Sequence, residues 1–342
     1  MAVAVVILNW NGRDFLERFI PTLMQCTRVG KQKSALGSRS AYPDNASVFV
    51  ADNGSTDDSL NWLEWAYPQH EINIIRLDRN YGFAEGYNRA FQQIRDKGKF
   101  KYYLLLNSDV EVTDGWLAPL VEFMDSHPQA GACCPKVLSY HHPNMFEHAG
   151  AAGGYLDRFY FPYCRGRVLS RVEEDRGQYD EPAQVFWASG TSLMIRSSLW
   201  HKLGGLDGSF FAHMEEIDLC WRVQMLGYQI WCLPSSRIYH IGGGTLPYGS
   251  ENKVYLNFRN NLLMMQKNLP KRGRGRRIFV RKCIDNAIAI GQFFIGKSFI
   301  SKAIFHAHRD FKAMRPSVAY PEIVVPLKRS RRTLIGLMLS KP

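Results

Sequence analysis

No apolar run in this sequence reaches the length needed to cross a bilayer. The nearest, "CIDNAIAIGQFFIGKSFI" from Cys283, is interrupted by Asp285, Asn286, Gln292 and Lys297. The cysteines lack a pattern: there are seven in 342 residues, an odd number without regular spacing. That excludes a disulfide framework and predicts a reducing, cytoplasmic setting. The pair Cys133-Cys134 then reads as packing rather than chemistry. Both standard phosphate loops are missing, since there is no G-x-x-x-x-G-K-[ST] and no G-x-G-x-x-G after the first apolar run. A basic leader is absent too, so "MAVAVVILNW" reads as a first strand and not as a signal peptide. Acidic residues thin out after about position 220. The net charge of +12 therefore gathers in 267–282 and 328–332, an arrangement suited to an anionic surface, either membrane headgroups or nucleic acid.

What is present is the composition of a globular protein, 46% hydrophobic and 13% aromatic. The length fits one large α/β domain with an appendage, or two domains. Val3 to Leu8 is a short β-branched run of the kind found in buried parallel strands. "GRDFLERFIPTLMQC" follows at helical spacing, and 28–46 predicts a long polar loop. "SVFVADNGSTDDS" gives a second strand and a helix capped by Ser55 or Thr56. "INIIRLDRN", "GFAEGYNRAFQQIRDKG" and "KYYLLLNSDVEV" add strand, helix, strand. Such alternation demands right-handed crossovers and a mostly parallel sheet. The four strands run into Asn9, Asp52, Asn80 and Asp109. Any one of these is an ordinary turn former. Four in register outline a polar crevice at the carboxyl ends of the strands, where open α/β sheets bind ligands.

Beyond Thr113 the alternation loosens. "DGWLAPLVEFMDSHP" predicts a helix, 136–184 a loop-rich stretch, and "VFWASGTSLMIRSSLWHKLGGLD" a strand and short helix. An acidic turn, a helix and a strand ending at His240 follow, and the remainder is helical and basic. There is no internal repeat. The glycines of "IGGGT" read as a flexible turn. Asp109 with His240 offers oxygen and imidazole ligands suited to Mg²⁺ or Mn²⁺, although a histidine such as His240, taken alone, is more often a satisfied strand-end residue than a ligand. "HMEEIDLCWR" sets Glu215, Glu216 and Asp218 within one turn. They are either acids complementing a helix N-terminus or the source of a general base.

The order "VVILNWNG", "VADNGSTDDS", "NYGFAEGYNRA", "LLLNSDVEV", "ASGTSLMIR", "GGLDGSFFAHMEEIDLCWR", "YHIGG" resembles the family 2 glycosyltransferases of the GT-A fold. It is most similar to their rhamnosyltransferase-like branch, which builds bacterial surface polysaccharides. The resemblance runs to about Gly244, and the basic "NFRNNLLMMQKNLPK" beyond it is also familiar. It implies an α/β GT-A domain over 1–245, with 1–112 the nucleotide-binding half and 113–245 the acceptor half, followed by a helical basic region over 246–342. It further implies that Asp52 recognises the nucleobase, with Asn9 and Asn11 on the adjoining turn, and that Asn80 and Gly82 line the nucleotide. Asn107-Ser108-Asp109 stands where the family carries D-x-D, so Asp109 would hold the metal and Asn107 would bond the donor sugar. His240 matches the family's metal-binding histidine. Glu216, where the family has the Asp of an E-D pair, would be the base, with Glu215 its neighbouring alternative.

The implied reaction is an inverting displacement that moves a sugar from a nucleotide-diphosphate donor to a glycan or lipid-linked acceptor. A sugar nucleotidyltransferase is one rival; it would carry a Gly- and Arg-rich first loop that "LNWNGRDF" lacks. A non-catalytic basic module that binds membrane or nucleic acid is the other, and it leaves the polar strand ends unexplained. The segment "KNLPKRGRGRRIFVRK" beside "AIAIGQFFIG" predicts a basic amphipathic surface on the anionic inner face of the cell membrane, rather than nucleic-acid binding. The competing expectation is a helical face packed on the catalytic domain or on a second subunit of a homo-oligomer.

Overall fold

The computed structural model describes residues 2–28, 46–68, 71–147, 150–242, 250–318 and 332–339. Residues 29–45 of the anticipated polar loop lie outside that set, as do 243–245 of "IGGGT" and 328–331 of the basic end.

Strand β1 (Val3–Asn9) is buried on both faces, which its β-branched sequence requires. Val3, Val5 and Ile7 join an apolar cluster with Leu16 and Ile20 of α1 (Arg13–Arg28). Ala4 and Val6 face a second cluster with Tyr87 and Phe91 of α3 (Gly82–Lys97). Between those helices run β2 (Ala46–Asn53), α2 (Ser59–Ala66) and β3 (Asn73–Leu77), and α3 leads to β4 (Tyr102–Asn107). β3, β2, β1 and β4 lie side by side and parallel, as the alternation predicts.

The chain reverses at Ser108 and Asp109 into β5 (Val110–Val112), then continues through α4 (Ala118–Ser126) to β6 (Ala130–Ser139). A small antiparallel sheet follows, made of β7 (Gly154–Leu156), β8 (Pro162–Cys164), β9 (Arg167–Val168) and β10 (Arg171–Val172). The stretch 136–184, expected to be loop-rich, thus also carries short strands and the last residues of β6. Strands of two or three residues are too short to leave a periodic signal in sequence.

β11 (Ala183–Val185), β12 (Ser192–Arg196), α5 (Ser197–Leu203), α6 (Glu215–Met225) and β13 (Gln229–His240) complete the central sheet. Its order is β11-β13-β6-β12-β4-β1-β2-β3, with β5 paired to β13 off that path. β6 and β13 run with β1–β4, while β5, β11 and β12 oppose them. The carboxyl ends of six strands therefore share one edge, and all the anticipated site residues from the sheet lie along it.

The C-terminal part is helical among the described residues: α7 (Glu251–Asn268), α8 (Arg274–Phe294), α9 (Ser298–Met314) and the short α10 (Leu334–Leu339). None of the described helices is long and apolar enough to cross a membrane. α7 is tied to α6 through buried charge. Asp218 accepts from Arg222 Nε (2.7 Å), Lys267 Nζ (3.0 Å) and Asn268 Nδ2 (2.7 Å). All seven cysteines are free, and six are buried, including the adjacent pair Cys133-Cys134, as expected of packing residues.

Candidate functional site

The first strand turn is a network of short polar side chains. Asn9 is fully buried, and its register partner across the sheet is Asp52. Asn9 Nδ2 donates to Asp52 Oδ1 (3.1 Å) and to Ser55 Oγ (3.2 Å). Asp52 Oδ2 accepts from the Ser55 N–H (3.0 Å). Each Asp52 oxygen thus has one protein donor and keeps a lone pair. Asn11 adopts φ 50°, and its Oδ1 accepts from the Thr56 N–H (2.7 Å). Ser55 and Thr56 are consumed in this turn and do not cap α2, which begins at Ser59 after Asp58. Close packing here needs a glycine: a Cβ on Gly12 would stand 2.5 Å from Asn9 Oδ1 and 3.7 Å from Ser108 Oγ.

The third turn is organised by a residue that the sequence reading passed over. Asn53, buried at the end of β2, donates to Asn80 Oδ1 (3.1 Å) and the Gly82 carbonyl (3.0 Å), and accepts from the Tyr81 N–H (3.0 Å). Asn80 Oδ1 also accepts from the Gly82 N–H (2.8 Å). Gly82 has φ 75°, and a Cβ there would come within 2.5 Å of the Phe211 ring. The Asn80–Gly82 turn is thereby packed against the loop that precedes α6. The Phe211 carbonyl accepts from the Phe83 N–H (2.8 Å) across the same contact.

β4 delivers Asn107, whose N–H donates to the Thr191 carbonyl (3.0 Å), then Ser108 and Asp109. Because β5 pairs back on the end of β13, with Val110 opposite His240, Asp109 and His240 become neighbours. His240 Nε2 lies 3.1 Å from Asp109 Oδ1. Its Nδ1 lies 3.2 Å from Glu147 Oε2. Burial alone would push the imidazole pKa down, but the hydrogen bonds and charges of Asp109 and Glu147 outweigh it and raise it to about 10. Glu147 arrives because the chain folds back over the end of β6, with its N–H donating to the Val137 carbonyl (3.1 Å). It was missed because it stands in the stretch read as loop. A residue behind a ligand leaves no mark in the ligand's own motif.

This donor set fits a divalent cation. A carboxylate oxygen and an imidazole nitrogen face each other, while a second carboxylate, Glu147, lies behind the ring within ion-pair distance, where metal-binding histidines usually have their support. No group of three or more His, Cys, Asp or Glu side chains converges on one point among the described residues. Glu147 touches the far ring nitrogen, so the remaining ligands would be water and substrate oxygens.

α6 begins with the two candidate bases. Phe211, His213 and Met214 all have positive φ (64°, 69° and 74°), an uncommon run for residues other than glycine. The strained loop is held from α7: Asn260 Nδ2 lies within hydrogen-bonding distance of the carbonyls of Phe210 (2.9 Å), Ala212 (2.8 Å) and His213 (2.8 Å). Burial pushes the Glu216 carboxyl up to about 7. Burial, then Glu216, then Asp218 push Glu215 well above the carboxylate range. Each keeps an oxygen without a hydrogen-bond partner. Glu215 is buried and Glu216 half-buried, and the Glu216 Cβ lies beside Gly190, where an added Cβ would be 3.7 Å away. Gly190 precedes Thr191, the partner of Asn107, so the helix carrying the carboxylates abuts the end of β4 through one short segment.

Solved structures with the same architecture are glycosyltransferases. The S. aureus TarS fragment 1–349 with UDP-GlcNAc matches at a TM-score of 0.57 and 15% identity, over 93% of this chain and 82% of that one. GalNAc-T7 with UDP, GalNAc and Mn²⁺ matches at 0.52 and 19%, over 75% of this chain and 48% of that one. At such identities the likeness establishes the GT-A fold alone. In sequence, the chain is 25% identical over 247 residues to an N-acetylglucosaminyl-diphospho-decaprenol L-rhamnosyltransferase of Mycobacterium tuberculosis, spanning 69% of this chain and 75% of the relative. It is 22% identical to the rhamnosyltransferase WbbL of Escherichia coli, over 70% of this chain and 83% of that one. The family model described as glycosyl transferase family 2 matches residues 5–203, more than half of the sequence. The chain belongs to glycosyl transferase family 2.

Proposed function

We propose that this glycosyltransferase moves a sugar from a nucleoside-diphosphate donor to a lipid-linked glycan acceptor, with inversion, in the synthesis of a surface polysaccharide. The observation that carries the reading is the Asp109–His240 pair at the carboxyl edge of the sheet, with two ionisable carboxyls, Glu215 and Glu216, at the head of the neighbouring helix. The relatives support it. The mycobacterial enzyme is named for a decaprenol-diphosphate-linked acceptor and for rhamnose, and two solved relatives hold Mn²⁺ with UDP or GDP-mannose.

The residues take roles that follow from their places. Asp52, fixed by Asn9 and Ser55, presents its remaining lone pairs to the nucleobase, while Asn11 shapes the same turn. Asn80 and Gly82 form the opposite wall. Asn107 and Ser108 offer hydrogen bonds to the donor sugar. Asp109 and His240 would hold Mg²⁺ or Mn²⁺, which when bound supplies positive charge to a departing diphosphate. Glu216 takes the proton of the acceptor hydroxyl as that oxygen bonds to the anomeric carbon and the bond from that carbon to the diphosphate breaks. Burial and the charge of the neighbouring Glu216 raise the Glu215 carboxyl, which favours its neutral form and leaves the basic role to Glu216.

The test is a panel of nucleotide sugars incubated with the protein, with and without a polyprenyl-diphosphate-linked GlcNAc acceptor. Release of nucleoside diphosphate from one donor, accelerated by the acceptor and giving a product of inverted anomeric configuration, is the expected result. A retained configuration, or release that is blind to acceptor, would refute it.

A further inference from the structure

The basic segment 267–282 does not form the continuous charged surface that its sequence predicts. Lys267 is buried against Asp207 and Asp218, Arg274 is buried with its guanidinium on the Gln266 carbonyl, and Arg281 is buried between Asp285 and Asn261. What the fold exposes instead is apolar. The exposed residues of α8 include Arg276 and Asn286, but most are apolar: Phe279, Val280, Cys283, Ala287, Ile290 and Phe294 form a stripe at helical spacing where a solvated helix would be polar. Residues 274, 278, 281 and 285 face inward. The stripe runs into the turn to α9, where Phe294 is 80% exposed and Phe293, Ile295 and Phe299 stand beside it. On α9 the outward face interleaves Phe299, Lys302, Phe305, Arg309 and Lys312.

The exposed charge on α8 and α9 is predominantly positive, and the acidic Glu251 and Asp310 sit together beside Arg309 at the α7 side of α9. Over residues 270–318 the only acidic residues are Asp285, buried with Arg281 and His308, and Asp310, paired with Arg309 and Tyr255. The exposed charges at the rim are those of Lys271, Arg272, Arg276, Lys297, Lys302 and Lys312. A second copy of this chain laid face to face on the patch would set like charges opposite one another. An anionic bilayer would meet the aromatic stripe with hydrocarbon and the rim with headgroup phosphates.

We propose that the α8–α9 hairpin is a membrane-docking surface: its apolar stripe and tip enter the headgroup boundary of an anionic leaflet, and its basic rim lies on the headgroups. The inference does not depend on which sugar the enzyme transfers.

Cys283 provides a probe, because it lies in the stripe and the other six cysteines are buried. The full-length protein is labelled there with a polarity-sensitive fluorophore and mixed with phosphatidylcholine vesicles, with or without phosphatidylglycerol. The expected result is a blue shift and co-sedimentation only with the anionic vesicles, both diminished at high salt. Phe293→Ser with Phe294→Ser should lower partitioning about tenfold or more, the scale of losing one buried aromatic side chain, with turnover of the donor unchanged. Lys297→Glu with Lys302→Glu should lower it by a similar factor and provides an independent test should the phenylalanine variants fail to fold. Three results would overturn the proposal: no binding to anionic vesicles at low salt, a Cys283 that resists labelling in the monomer, or a dimer that forms without lipid and protects Cys283.

Discussion

Asp109 and His240 are 131 positions apart in the chain and 3.1 Å apart in the fold. One strand pairing creates the contact: β5 turns back from the end of β4 and joins the last residues of β13. His240 closes β13, and Asp109 sits in the two-residue turn between β4 and β5 with its carbonyl accepting from the Ile241 N–H (3.1 Å), so the sheet positions both side chains.

The support behind His240 is testable on its own. Glu147→Ala removes the carboxylate 3.2 Å from Nδ1 and frees the ring to rotate. Mn²⁺ affinity in the presence of nucleoside diphosphate, measured by calorimetry, should fall about 10-fold or more. The thermal transition, measured without metal, should show a folded protein. An unchanged Mn²⁺ affinity would reduce Glu147 to a structural residue.

For the base, the prediction concerns pH. With its carboxyl raised to about 7, Glu216 is neutral in acid and competent above neutrality. kcat/KM should climb as pH rises through about 7 and then level. Glu216→Gln should slow transfer by roughly 10²-fold, remove that acid limb and leave nucleotide binding near wild type. Stability carries the opposite sign. A carboxyl that binds its proton more tightly when folded stabilises the fold below its ordinary range, and that contribution fades as pH rises through the raised value. Should Glu215→Gln be the crippled variant instead, the base lies one residue earlier.

Asn260 holds the strained loop in front of the carboxylates. Asn260→Ala removes the two N–H groups shared among the Phe210, Ala212 and His213 carbonyls, of which Phe210 alone keeps Arg259, and should cost about 1–3 kcal/mol in chemical denaturation. Transfer should slow by a larger factor than nucleotide affinity falls, because the loop leads directly into α6 and reaches the Asn80–Gly82 turn only through Phe211. Equal losses in both would show that α7 supports the whole crevice.

The sheet edge was legible in the sequence because a buried parallel strand must end in a residue that can turn. Asn9, Asp52 and Asp109 announce themselves at the ends of apolar runs. Asn53, one residue past Asp52, has the same signature, but its partners, Asn80 and Gly82, lie in another turn. Glu147 and Asn260 were hidden for a different reason. One sits among strands too short for periodicity, and the other acts through a helix read only as basic. Charge misled in the C-terminal region, since composition cannot distinguish a solvated lysine from Lys267, which lies between two carboxylates in the core. Membership of glycosyl transferase family 2 leaves neither rival, the nucleotidyltransferase nor the non-catalytic module, in contention.

The central claim is that Asp109 and His240 form the metal-dependent diphosphate site. Calorimetric titration of UDP and dTDP into the wild type, Asp109→Ala and His240→Ala, each with Mn²⁺ and after exhaustive EDTA treatment, tests it most directly. The account predicts binding of at least one nucleotide by the wild type with Mn²⁺, and its loss on chelation or in either variant. Nucleotide binding that survives chelation undiminished, or that is unchanged in Asp109→Ala, would contradict it.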